Sequence, residues 1–160
     1  MTEQIHIPLG WLAQYVTFFW YSDGYRSSAE RERVLPSGSS QLIINLGHCE
    51  FRHYKGSNHR VQKDGHTIIS GIKSKYLFLD PRTRTSTIGA VFKAGGIQGL
   101  IRCPASEFHD KTVSFSDILN VEISPVRDKI IAADSLDAKF RILESFLSGL
   151  PDQHFQPSPG

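Results

Sequence analysis

The sequence holds little of what marks the well-defined chemistries. Only two cysteines occur in 160 residues, Cys49 and Cys103, and they form no C-x-x-C pair. That excludes a disulfide scaffold and a thiolate zinc knuckle. A basic residue beside a thiol can lower its pKa, as Arg102 stands beside Cys103, but no general base adjoins it in sequence. The longest apolar runs, such as Val16–Tyr21, are far too short to span a bilayer. The start, Met1–Leu9, carries Glu3 and no basic region of the kind a secretory signal needs. The chain reads as cytosolic, with no membrane partner. Repeats and low-complexity stretches are also missing.

Catalytic motifs are equally scarce. The seven histidines form no H-x-H and no H-E-x-x-H. His48 and His53 stand five apart across a turn, which puts them on opposite faces of a regular strand. No G-x-S-x-G is present; in Gly38-Ser39-Ser40-Gln41-Leu42, Leu42 stands where the second glycine of a nucleophile elbow belongs. Ala94-Gly95-Gly96-Ile97-Gln98-Gly99 lacks the first glycine of a dinucleotide fingerprint and reads as a tight strand-to-helix corner. No catalytic residue, metal ligand or cofactor is assigned on these grounds, and no helix carries a basic face fit for DNA.

What is present is an ordinary globular composition, 39% hydrophobic and 21% charged with a net charge of +2. A chain of this length makes one domain and buries roughly two-thirds of its unfolded surface. Charge is unevenly spread. Residues 51–84 hold eight Lys or Arg against two Asp, and residues 107–152 hold nine acids against five bases. A basic ligand mouth and a set of solvated strand edges both fit that pattern.

Before Lys93, β-branched and aromatic residues come in short runs between turn signals. Strands are expected at Tyr15–Tyr21, Arg31–Leu35, Gln41–Leu46, Cys49–Tyr54, His66–Gly71, Lys75–Leu79 and Ser86–Lys93, after a helical turn at Leu9–Gln14. Gly47-His48 is expected to turn Gln41–Leu46 into a hairpin with Cys49–Tyr54, and 56–65 is expected to be a polar loop. After Lys93 the spacing becomes helical, with short helices at Ile97–Arg102, Pro104–Phe108, Asp117–Leu119 and Pro125–Ala133. A last helix, Leu136–Ser148, is expected to end at Gly149 and Pro151, before a frayed tail. Leu136, Phe140, Leu143 and Leu147 form one apolar stripe on it. The expected fold is α+β, mainly β: a sandwich or small barrel over 1–94, a helical part of the same domain over 95–150, and a tail over 151–160.

Five segments, taken together, resemble one family. Leu12-Ala13-Gln14-Tyr15-Val16-Thr17-Phe18-Phe19-Trp20 resembles an L-x-x-Y-V-x-x-F-W opening. Arg33-Val34-Leu35-Pro36-Ser37-Gly38 resembles an R-x-L-P-D-G loop, with Ser37 in place of the acid. Gln41-Leu42-Ile43-Ile44-Asn45-Leu46-Gly47 resembles a strand ending N-L-G. Gly89-Ala90-Val91-Phe92-Lys93-Ala94-Gly95-Gly96 is similar to G-V-x-F-x-P-G-G, with Ala94 in place of proline. Pro104-Ala105-Ser106-Glu107-Phe108-His109-Asp110 is similar to a P-x-x-E-L-x-D helix. In this order they resemble the N-terminal domain of AraC-type transcription regulators, often filed as a domain of unknown function.

That resemblance implies a cupin-like β-barrel that senses a small molecule and helps dimerisation. It also implies helix-turn-helix units for DNA that lie outside this chain, so that the chain would be the sensor half of a longer regulator. On this reading the unknown effector binds near Trp20, Asn45, His48 and Phe92. The stripe Leu136, Phe140, Leu143 and Leu147 serves homodimerisation or domain docking, or packs on its own barrel. A cupin-type metal-dependent enzyme and a docking module without ligand are the alternatives.

Overall fold

The computed structural model describes residues 1–55, 60–119 and 121–153. Among the described residues, ten strands form two sheets, in which every neighbouring pair is antiparallel. The strands are β1 (Thr2–His6), β2 (Val16–Asp23), β3 (Glu32–Val34), β4 (Gln41–Asn45), β5 (Arg52–Lys55), β6 (Arg60–Lys63), β7 (Thr67–Ser70), β8 (Leu77–Leu79), β9 (Ser86–Phe92) and β10 (Thr112–Ser114). The larger sheet runs β1-β2-β9-β4-β7-β10 and the smaller runs β3-β8-β5-β6. Four helices follow β9: α1 (Gly96–Ile101), α2 (Phe115–Ile118), α3 (Ser124–Ala132) and α4 (Leu136–Gln153). The protein is therefore mixed α+β, mainly β, with its helices gathered toward the C-terminal end. It is not a closed barrel, because β1 and β10 end one sheet and β3 and β6 end the other.

The larger sheet buries one face under the helices. Leu42 and Ile44 of β4, Ile69 of β7, and Ile88, Ala90 and Phe92 of β9 pack there with Ile97, Leu100, Phe140, Leu143 and Leu147. Phe19, Leu42, Ile44, Ile88, Leu100 and Leu143 are at most 1% exposed. Full burial of such a side chain stabilises by about 1.5–3 kcal/mol. The apolar stripe of α4 is thus occupied by its own sheet: Phe140, Leu143 and Leu147 are buried in this core, and Leu136 is half-buried against it. Ser135 Oγ accepts from Ala138 N (3.1 Å) and caps the helix. His6 stacks on Phe140 and hydrogen-bonds Glu144 Oε1 through Nε2 (2.8 Å), pinning β1 to α4.

The strand-to-helix corner expected after β9 forms as the glycines require. Gly95 takes a left-handed conformation, and a Cβ on Gly96 would lie 2.2 Å from the Tyr15 carbonyl oxygen.

Four expectations need correction. Gly47-His48 does not turn a hairpin, since β4 belongs to the larger sheet and β5 to the smaller. The segment from Leu46 to Phe51 crosses between the sheets instead, and β5 takes β6 as its hairpin partner. That partner lies inside the expected 56–65 loop, whose residues 56–59 fall outside the described residues. Past the helical boundary, β10 returns to pair with β7, so the larger sheet draws strands from both sides of residue 94. Finally, α4 runs through Gly149 and Pro151 to Gln153. Burial of Leu147 and Leu150 outweighs the poor helix propensity of the last turn. The rest of the expected tail, from 154 onward, lies outside the described residues.

Candidate functional site

The other face of the larger sheet looks onto the smaller one, and here the interior is neither apolar nor filled. Strand alternation sends Gln41 and Ile43 of β4, and Ile68 and Ser70 of β7, to this side. Val34, Leu77, Leu79 and His53 face them from the smaller sheet around a cavity of about 130 Å³. A second cavity, of about 390 Å³, adjoins it through Gln41 and Arg84 and is lined by Trp20, Tyr25 and Glu32. A third, an open cleft of about 720 Å³, adjoins it through His53, Asp64, Lys73, Leu77 and Thr112. The three adjoin through these shared lining residues; the two larger are in the size range of small-molecule sites, and the central one is smaller.

Two buried polar features anchor the central compartment. His53 Nδ1 pairs with Asp64 Oδ2, and both residues are buried. Asp64 Oδ1 also accepts from Gln62 Nε2 at 3.1 Å. The carboxylate fixes the ring and leaves Nε2 uncommitted among the described residues. Lys73 is only 8% exposed, and its Nζ donates to the Lys111 carbonyl. Burial lowers the Lys73 pKa to about 8, against the pull of Asp110 and Asp64, which favour its proton.

At the far end, Tyr25 donates to Glu32 Oε2, and that carboxylate raises the Tyr25 pKa. The Trp20 indole lies against Gly89, where a Cβ would come within 2.6 Å of the ring. Its Nε1 is buried without a hydrogen-bond partner among the described residues.

Of the residues expected to bind ligand, Trp20 lines this space and the other three do not meet it there. Phe92 is on the opposite face of the sheet, in the helix-covered core. His48 is exposed, and its carbonyl accepts from His66 Nε2 at 3.2 Å. Asn45 is fully buried and committed to structure: its Nδ2 donates to the carbonyls of Cys49 (2.8 Å) and Thr83, and its Oδ1 accepts from Gly47 N (2.9 Å). Arg127 of α3 closes this knot, donating from Nε to the Asn45 carbonyl and from Nη2 to the Gly47 carbonyl, each at 2.7 Å. Cys103 is half-buried, and burial together with Glu107 raises its thiol pKa, the reverse of an activated nucleophile.

The residues that sequence reasoning missed are His53, Asp64 and Lys73. His53 shares the alternation of Phe51, which was a signal for an inward side chain. Lys73 sits in a connection without periodicity and gave none. Among the described residues no group of three or more His, Cys, Asp or Glu converges as a metal would need. None of their helices is long and apolar enough to cross a membrane.

Comparison with known families matches residues 4–114 to the family described as Domain of unknown function (DUF6597). The match covers most of the chain, and the protein belongs to that family. It takes in all ten strands apart from the first residues of β1 and ends with β10, so α2, α3 and α4 lie beyond it. No curated protein and no solved structure matches the chain.

Proposed function

We propose that this protein is the ligand-sensing, regulatory domain of an AraC-type transcription regulator working in the cytoplasm. Its cupin-like sandwich takes a small molecule between the two sheets. It acts on DNA through a domain outside this chain, and homodimerisation is part of that action. One observation carries the ligand-sensing part: the same sheet has one face packed shut by helices and the other lining three adjoining cavities with buried, under-used polar groups. A purely structural module has no need for such a division. The regulator part rests on the five motif blocks, among them Arg33–Gly38 and Gly89–Gly96.

The test is a thermal-shift screen of the intact chain against a metabolite panel, repeated on Ile43→Trp, which fills the central cavity. Binders are expected to raise Tm in the wild type and to lose their effect in the variant. A full-length regulator carrying this domain should then change reporter transcription with the same compounds. Binders insensitive to Ile43→Trp would overturn the inter-sheet site, and turnover of a binder without any transcriptional response would overturn the regulator reading.

A further inference from the structure

The inter-sheet space is uneven in charge, and the unevenness bears on what it holds. An ammonium has three N–H donors. Lys73 is buried at the junction of the central cavity and the open cleft, and among the described residues its Nζ has one partner, the Lys111 carbonyl. Lys63, Lys75 and Lys111 line the same cleft. The acids there are largely committed. Asp64 is held by His53 and Gln62, and Asp110 accepts from Ser74 N and Oγ, while Asp117 is exposed at the rim. Beside Lys73, His53 offers a ring nitrogen without a partner among the described residues. Behind both stand the apolar side chains Ile43, Ile68, Leu77 and Leu79. A buried cation is costly without an anion or a full set of acceptors.

We infer that the ligand is a small organic acid, its carboxylate seated on Lys73 Nζ beside His53, and its apolar body lodged between Ile43, Ile68, Leu77 and Leu79. This rests on the ligand-sensing reading above and narrows it to a chemical class. The carboxylate supplies the acceptors that Lys73 lacks, and the surrounding lysines steer it inward.

The test uses three matched pairs on the intact chain: benzoate and benzamide, phenylacetate and phenylacetamide, hexanoate and hexanamide. Calorimetry at several pH values is run on the wild type and on Lys73→Met. At least one carboxylate is expected to bind about tenfold or more tightly than its amide, a difference of about 1.4 kcal/mol. Lys73→Met is expected to abolish that preference. In the wild type, affinity for the acid should fall as pH rises through about 8, where the free ammonium loses its proton. The limiting slope is about tenfold per pH unit. Asp64 and Asp110 face Lys73 and favour its proton, whereas His53, Lys63, Lys75 and Lys111 share the cleft, so the slope must vanish in Lys73→Met to be assigned to Lys73. Amides that bind as well as acids, or a slope unchanged in Lys73→Met, would overturn this inference and leave the ligand-sensing reading standing. Binding of neither class would overturn this inference and count against that reading as well.

Discussion

The two faces of the six-stranded sheet solve opposite problems with the same backbone. On the helical side, Phe19, Leu42, Ile44, Ile88 and Leu143 exclude water and carry the apolar core. On the inter-sheet side, Gln41, Ile43, Ser70 and Trp20 face cavities, a buried His–Asp pair and a buried lysine. The difference separates the layer that is packed from the layer that holds open space. Packing against helices lets the domain stand without a filled space between its sheets. The apolar residues left on the second face then serve as lining more than as core.

The largest effect expected from that contrast comes from matched truncations on the two faces. Leu143→Ala, in the closed core, is expected to cost about 3–5 kcal/mol in urea unfolding. Ile43→Ala, facing the cavity, should cost about 1–2 kcal/mol, because part of its surface already lacks packing partners. Equal costs would erase the distinction between the layers.

Next is the buried pair. Asp64→Ala removes the acceptor of both His53 and Gln62 and is expected to cost about 2–4 kcal/mol. Loss of NMR chemical-shift dispersion confined to β5 and β6, with the helix-covered core unchanged, would sharpen the comparison.

The smallest effect has the opposite sign. A lysine whose folded pKa lies below its unfolded value disfavours the folded state while it is charged, so stability rises with pH between the two values. For Lys73 those values are about 8 and 10.5. Lys73→Met is therefore expected to stabilise the chain at pH 7, by about 1–3 kcal/mol after loss of the bond to the Lys111 carbonyl. The gain should shrink as pH rises from 8 toward 10.5. Chemical denaturation at pH 7, 9 and 10.5 checks this, and a gain that stays constant with pH would count against a buried charge at this position.

The strands that carry the closed core were legible because burial shaped their sequences. Gln41–Asn45 and Ser86–Phe92 are short runs rich in β-branched residues, and both formed where periodicity placed them. By contrast β1 and β6 were not legible. All their residues are exposed or half-buried, and their extended state comes from pairing with β2 and β5 instead of from an apolar pattern. The candidate site was legible only in part, because Trp20 and Phe92, expected to line one space, lie on opposite faces of the sheet. Val16 pairs with Phe92, and even spacing would put Trp20 on that same face. A register shift between Val16 and Phe18 reverses the parity, so that Phe19 points to the helices and Trp20 to the cavities. No periodicity argument anticipates a single inserted residue.

The Arg127 fork ties the crossover between the sheets to the helical layer. The loop it grips is the crossover from the larger sheet to the smaller, and the helix it comes from packs on α4 and puts Ile130 into the helix-covered core. If the smaller sheet tilts to admit or release a guest, the crossover is its tether. That tether is bolted through Arg127 to α3. Such a tilt would have to break two charge-assisted bonds or carry the helix along, so one arginine sets how independently the crossover and the helical layer can be displaced.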